Sequence, residues 1–390
     1  LVNTRKQKSP PTPPLILNSF FPFFKIMCKY PYKISRRISM GHEIEENVKN
    51  YYGKVLKTNK DLKTNACSFD NSMPKNIQKI LKLIHPEVKE KFYGCGLIVP
   101  ESIEGAHILD LGSGSGRDSF VLSALVGEKG KVVGIDMTEE QIEVAKKHKK
   151  YHEDLFGLKD KNLDFTLGKI EKLSELGLNQ KSFDLIVSNC VINLIPDKER
   201  VLKDAYSLLK TGGEFYFSDI YADRRIPEHL LENPILHGEC LSGALYWNDF
   251  SNLAKKVGFK DPRVLTSRPI KINNSELENL TDPIQFYSIT YRLFKIPDME
   301  PDCEDYGHAV CYRGTLEDSS HSLALDNSHF FPRGKFKEVC GNTYLMLNQS
   351  RLRKHFDFAG SWDTHHGLFE GCSSSPFEFS DTTSTQDSCC

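Results

Sequence analysis

The sequence predicts an α/β fold, a mostly parallel sheet with helices on both faces. Three observations carry the prediction. From residue 105 onward short apolar runs alternate with segments of helical periodicity. The first run ends in an acid and then a glycine-rich turn, "ILDLGSGSGRDSF" at 108–120. The second run, "KVVGIDM" at 131–137, ends in another acid just before a long amphipathic segment. Strand and helix in strict alternation build parallel sheets, because each crossover helix must cover a sheet face.

The elements follow in order. "AHILDLG" reads as the first strand and "RDSFVLSALVGE" as the helix behind it. "KVVGIDM" is the second strand, and "TEEQIEVAKKHKKYHEDLF" a helix with Thr138 at its N-cap. "LDFTLGKI" and "FDLIVSN" are strands three and four. "KERVLKDAYSLLKTGG" reads as a helix closed by Gly212 and Gly213 in a C-cap. "EFYFSDI" is strand five, "YWNDFSNLAKKVGF" a further helix, and "PRVLTSRPI" and "QFYSITYRLFKI" two late strands of antiparallel character. Residues 40–104, ahead of the sheet, are mostly helical in pattern.

The chain has 390 residues, 39% apolar and 26% charged, which suits more than one domain of ordinary globular composition. Residues 1–39 carry Lys and Arg but no Asp or Glu. They are expected to be a poorly ordered leader, a targeting segment or upstream sequence, with the folded protein starting at Met40. Residues 40–297 form the main domain with its helical extension. Residues 298–370 break the alternation: "HAVCYRGTL", "SLALDN" and "FKEVCG" read as short strands of a small C-terminal, β-rich α+β domain. Residues 371–390 are expected to be a disordered tail ending in Cys389 and Cys390. A net charge of −1 gives no global field for nucleic acid or anionic lipid, and no apolar run is long enough to span a bilayer. A cytoplasmic monomer, with no nucleic-acid or membrane partner, is the expectation.

The turn Gly112-Ser-Gly114-Ser-Gly116 lets a ligand lie on bare backbone at a helix start. Such a turn also serves dinucleotides, so a Rossmann oxidoreductase is one reading. Asp110 argues for a different ligand, since a carboxylate there repels a pyrophosphate and suits an ammonium and a sulfonium. Asp136 stands where a ribose would need an acceptor. Together Asp110, the turn and Asp136 resemble class I S-adenosylmethionine-dependent methyltransferases, whose Rossmann-like sheet binds ligands at the carboxyl ends of its strands. On that sheet Met137 and Ile170 would flank the adenine, Glu171 its amine, and Ser188 and Asn189 the amino-acid end.

Eleven cysteines are spread along the chain without a C-x₂-C pair, so neither a disulfide framework nor a zinc ribbon is indicated. Four stand out. Cys190 follows strand four, where the methyl acceptor approaches, and Cys240 lies in a segment able to fold over the same mouth. Cys95 precedes the first strand and Cys67 lies earlier still. Each alone reads equally as a small buried hydrophobe. As a set they suit a soft, thiophilic centre such as trivalent arsenic.

The motifs "YYGKVLKTNKDLKTNAC", "FYGCGL", "GIDMT", "SNCVINLIPDK" and "GECLSGALYW" are similar to those of the arsenite methyltransferases, strongly over 40–300 and more loosely to about 360. The resemblance implies that Cys190 and Cys240 hold trivalent arsenic, with Cys95 the third sulfur for arsenite. It implies that Cys67 relays reducing equivalents or forms a disulfide with Cys95, and that Tyr93 stands near the sulfonium. Arsenite or its glutathione conjugate is then the substrate, and thioredoxin or glutathione the reductant. The reaction would yield methylated and dimethylated arsenicals and serve detoxification. The alternatives are a methyltransferase for a quinone or sterol, and a non-catalytic arsenic-binding protein. Tyr51 and Tyr52 open the first motif without an assigned role. His365 and His366 offer a metal pair in a loose segment, and the "AKKHKK" run reads as a solvated helix face.

Overall fold

Apolar residues at 107–111 form β1 (His107–Leu111), buried from Ile108 onward and flanked in parallel by β2 (Lys131–Asp136) and β4 (Phe183–Asn189). With β3 (Leu163–Leu167), β5 (Leu209–Ala222), β7 (Arg263–Pro269) and β8 (Phe286–Phe294) they make a sheet of order β3-β2-β1-β4-β5-β8-β7. A two-residue β6 (Leu245–Tyr246) pairs with the end of β5. Strands β1 to β5 run parallel, and β8 is antiparallel to both its neighbours. The order reverses at β1, so a crevice opens at the carboxyl ends of β1 and β4, where ligands bind in such sheets. The computed structural model describes residues 46–56, 61, 64, 73–96, 98–158 and 162–372. The leader at 1–39, Cys67, most of the 371–390 tail with Cys389 and Cys390 lie outside them.

Each sheet face has its own core. Helices Lys75–Leu83, Arg117–Val126 and Glu139–Phe156 pack Ile77, Phe120, Ile142 and Ala145 on Val132 and Val187. On the other face Lys198–Leu208 and Trp247–Val257 pack Val201, Leu202, Ala205 and Phe250 on Phe215 and Phe217. The spacing of Val201, Leu202, Ala205 and Leu208 is the one-sided stripe an amphipathic helix needs.

Beyond β8 the chain is β-rich, as its sequence indicates. β9 (Glu304–Asp305) pairs with a late strand at Gly367–Leu368, and β10 (Ala309–Tyr312) lies between Phe336–Glu338 and Phe356–Ala359. Its core gathers Val310, Tyr312, Leu323, Phe331 and Met346 against Phe294 of β8.

Two expectations need correction. The helix Lys198–Leu208 stops at Leu209, and Gly212 and Gly213 lie inside β5 rather than in a C-cap. A Cβ on Gly212 would stand 2.0 Å from the Gln349 carbonyl oxygen, so this glycine serves the docking of the C-terminal region. "FKEVCG" is strand only over Phe336–Glu338; Cys340 caps a helix, Gly341–Asn348, that the pattern hid. That helix is buried on nearly all sides, so it has no amphipathic period to read.

The C-terminal region is tied to the sheet by charge. Fully buried Glu214 on β5 accepts from Arg292 Nε at 2.6 Å and from Arg351 Nη1 at 2.5 Å. Burial opposes ionisation of Glu214, but the two guanidinium charges hold its carboxyl below the ordinary range.

Candidate active site

Three chain ends meet at the switch point: the turn after β1, the acid ending β2 and the amide ending β4. The cleft they border holds about 840 Å³ counted to its open mouth. Asp110, Gly112, Gly114 and Asp136 line it, as do Tyr93, Met137, Ile170 and Glu171. Asn189 and Cys190 complete the inner wall. Gly116 alone of the turn glycines is outside the lining; it caps Arg117–Val126 with φ +88°, and a Cβ there would meet Phe165 at 2.7 Å.

The acids are shielded. Asp110 accepts from Ser119 Oγ at 2.5 Å, and burial pushes its carboxyl up to about 7, with Asp118 adding and the Ser119 bond opposing. Folded Asp110 therefore keeps its proton at pH values, from about 4 upward, where the unfolded chain has lost it. Its contribution to stability falls as pH rises through that window. Asp136 receives Gly114 N at 2.9 Å and Thr138 N at 2.8 Å, and burial raises it too. Thr138 is the N-cap of Glu139–Phe156, but its side chain makes no capping bond.

Polar atoms of the expected Glu171 and of two residues that the sequence does not single out, Ser113 and Gln141, also face this cleft. Ser113 Oγ, Gln141 Oε1 and Glu171 Oε2 are buried without hydrogen-bond partners among the described residues, and all three residues line it. Buried polar atoms ordinarily find partners. The set fits a ligand carrying several N–H and O–H groups, which a nucleoside with an amino-acid tail provides.

Sulfur occupies the inner end. Cys95 and Cys190 are joined by a disulfide with Cα atoms 5.6 Å apart. In this structure the partner of Cys95 is Cys190; Cys67, which the family resemblance implies as a relay or as the disulfide partner of Cys95, lies outside the described residues. The reason is local. Asn189 Oδ1 accepts Cys95 N at 2.9 Å and Gly96 N at 3.1 Å, while its Nδ2 donates to Gly96 O and Asp118 Oδ2. This pins the Cys95 loop beside the end of β4. A Cβ on Gly94 would stand 2.5 Å from Asn189 Cγ, and one on Gly96 2.4 Å from Ser218 Oγ, so "GCG" lets the loop press in. Asn189, expected at the ligand's amino-acid end, lines the cleft and divides its amide between this loop and Asp118.

Cys240 is buried, with its thiol 3.5 Å from Cys190 O and 3.9 Å from the Tyr52 hydroxyl. Ligand atoms of Cys190, Asp219 and Cys240 lie within 4.8 Å of one another. Burial pushes Asp219 up to about 6 against the amides of Ile220 and Asn193, and burial lowers Lys198, near Asp219 and Cys240, to about 8. Neither residue was flagged by the sequence. Tyr51 and Tyr52 gain a role: their hydroxyls hold the Cys240 segment through Glu239 Oε1 at 2.8 Å and Gly238 O at 2.7 Å. Cys190 and Cys240 both have positive φ, +57° and +60°, which side chains other than glycine rarely adopt. His365, by contrast, is far from this chemistry and pairs with Glu304 at 2.9 Å.

Comparison with known proteins agrees with the geometry. A family model described as a methyltransferase domain matches residues 103–258, and one described as the arsenite methyltransferase C-terminal domain matches 306–390. The chain is 51% identical over 348 residues to an arsenite methyltransferase of Aquipseudomonas alcaligenes, covering 89% of this chain and all of that one. It is 47% identical over 319 residues to the arsenite methyltransferase of Rattus norvegicus, covering 81% and 85%. The crystal structure of CrArsM, an arsenic (III) S-adenosylmethionine methyltransferase from Chlamydomonas reinhardtii, superposes with a TM-score of 0.74 at 50% identity, covering 77% of this chain and all of that one. A sheet switch point with buried acids, thiols gathered at its inner end and near-complete alignment agree on one conclusion: the chain belongs to the arsenite methyltransferase family.

Proposed function

We propose that this chain transfers methyl groups from S-adenosylmethionine to trivalent arsenic held on cysteine sulfur, giving methylated and dimethylated arsenicals. The observation that supports the reading best is the approach of the Cys240 sulfur to that of Cys190, which lines the inner end of the cleft. When bound, S-adenosylmethionine supplies a methyl made electrophilic by its sulfonium. Asp136 would hold the ribose, Glu171 the adenine amine, and Met137 with Ile170 the base. Asp110 faces the cationic end, with Tyr93 nearby.

Reduced Cys95, Cys190 and Cys240 take the metalloid by exchange of hydroxide or glutathione for thiolate. The arsenic lone pair attacks the methyl in line, and no proton leaves, so the site needs no general base. Catalysis is then chiefly positioning. Transfer leaves arsenic pentavalent. Oxidation of two thiols to one disulfide releases two electrons and two protons and restores the trivalent state. The Cys95–Cys190 bond is what such a step leaves behind. Thioredoxin or glutathione reopens it by thiol exchange. Cys67, outside the described residues, is the relay thiol in this scheme. A cytoplasmic monomer fits the dependence on a reducing thiol pool. No helix among the described residues is long and apolar enough to cross a membrane.

The test is the appearance of S-adenosylhomocysteine. It should form only with arsenite and a thiol reductant both present; turnover with a quinone or sterol and no arsenite would overturn the reading. A pH dependence accompanies it. Neutral Asp110 cannot pair with a cation, so S-adenosylmethionine affinity should rise as pH passes up through about 7. Titration calorimetry between pH 6 and 8 should show a rise that Asp110→Asn flattens.

A further inference from the structure

Outside the cleft, three histidines and a glutamate meet behind the glycine turn. The run "AKKHKK" at 145–150 reads as a solvated helix face, but His148 in its middle is buried. Its Nε2 lies 2.7 Å from Glu87 Oε2. The His85 ring stacks on that of His148, with centroids 3.7 Å apart and planes at 23°. One ligand atom from each of His85, Glu87 and His148 lies within 4.8 Å of the other two. Buried His152, one turn on, fixes the frame: its Nδ1 donates to His148 O at 2.8 Å, and its Nε2 accepts His85 N at 3.1 Å. The short helix Pro86–Glu90 is thereby held against Glu139–Phe156. None of these four residues lines the cleft.

We infer that His85, Glu87 and His148 form a site for one zinc ion, with water as the fourth ligand. Two imidazoles and a carboxylate are the donor set that a borderline divalent ion takes. Donor atoms on one tetrahedral zinc stand about 3.3 Å apart. Glu87 and His148 already lie inside that spacing, so only His85 has to close in. His85 is the freer ring, half-buried against buried His148. It leaves the stack by giving up the bond its Nδ1 accepts from Glu87 N, a long one at 3.2 Å. The Glu87 side chain is 33% exposed, so an ion and its water reach the site from solvent.

One group competes with the ion. Lys147 Nζ lies 2.7 Å from the same Glu87 Oε2 on a well exposed side chain. Its ammonium swings away before zinc uses that oxygen, so Lys147 weakens the site without belonging to it. The ion's place in the fold gives it an effect. Ser115 Oγ, in the glycine turn, donates to Val88 O of the short helix at 2.9 Å. The chain leaving that helix, Lys91–Gly94, lines the cleft. Zinc thus fastens the outer support of the turn to Glu139–Phe156 and stabilises the folded chain by mass action.

Titration of the full chain with cobalt(II), a spectroscopic stand-in for zinc, tests this. Thiolate ligation gives an intense near-ultraviolet sulfur-to-cobalt band, which imidazole and carboxylate do not. One ion lacking that band is expected, and zinc should displace it. Glu87→Gln and His148→Gln each remove a ligand and should weaken this ion by more than about 10-fold, the loss that even an outer-shell change brings. Any sulfur band should be unchanged in both. Lys147→Gln should tighten the ion several-fold. Zinc should raise the thermal midpoint of the parent more than that of Glu87→Gln. The inference is overturned if every bound cobalt carries the sulfur band, if Glu87→Gln binds as the parent does, or if Lys147→Gln binds no more tightly. Lys147 is exposed and Glu87 partly so, so these two variants decide the matter even where replacing buried His148 unfolds the chain.

Discussion

Cys240→Ser is expected to lower arsenite methylation by at least about 100-fold, a loss of about 2.7 kcal/mol in transition-state stabilisation, while S-adenosylmethionine binding stays within about twofold, a difference of roughly 0.4 kcal/mol. A hydroxyl is a poor ligand for a soft metalloid, so the arsenic loses the sulfur that aims its lone pair. The cofactor is spared because Cys240 is not part of the cleft lining, whereas Cys190 is. Calorimetry on the one hand and arsenic speciation on the other read the two effects separately. Equal losses in both would mean that the Cys240 segment shapes the cofactor site and holds no metalloid. The same measurement on Asn189→Ala should show a smaller fall, since that change frees the Cys95 loop and removes no sulfur.

Glu214→Ala should destabilise the folded chain by about 3–5 kcal/mol, because it strands two guanidinium groups without their carboxylate. Arg292 is fully buried and Arg351 mostly so; both pair with this side chain, and the next carboxylate, Glu101 Oε2, stands 3.4 Å from Arg292 Nη1. Glu214 joins β5 to the region beyond β8, so the transition should also lose cooperativity between sheet and C-terminal region. Urea unfolding followed by fluorescence gives the first quantity and the slope the second. The carboxyl's pKa is depressed in the folded state, so its contribution is present above the unfolded value and is lost as pH falls through the folded one. A Glu214→Ala chain should therefore lose less stability on acidification than the parent. If its midpoint stays within experimental error of the parent's, the network contributes nothing.

The sheet was legible because its signals are local. Apolar runs ending in Asp110, Asp136 and Asn189 predict strands and the edge where they converge, and nearly all the cofactor residues named from them border one cleft. What escaped is set by contacts distant in sequence. Nothing near Cys95 announces Cys190 as its partner, 95 residues away. Ser113 and Gln141 are ordinary in sequence and become informative only because Ser113 Oγ and Gln141 Oε1 are buried without partners among the described residues. Lys198 and Asp219 read as helix start and strand end until the fold sets them beside Cys240. Gly212 looked like a helix stop because its true neighbour, Gln349, is supplied by a region more than a hundred residues later.

The backbone at Cys190 and Cys240 would be more comfortable with glycine or asparagine, which tolerate positive φ. Replacing Cys240 by glycine should thus recover up to about 1 kcal/mol of strain at the cost of the reaction. Random drift filtered only for folding would erode this thiol first, and drift filtered for growth on the poison would keep it. Lineages freed from arsenic exposure are where its loss should be sought.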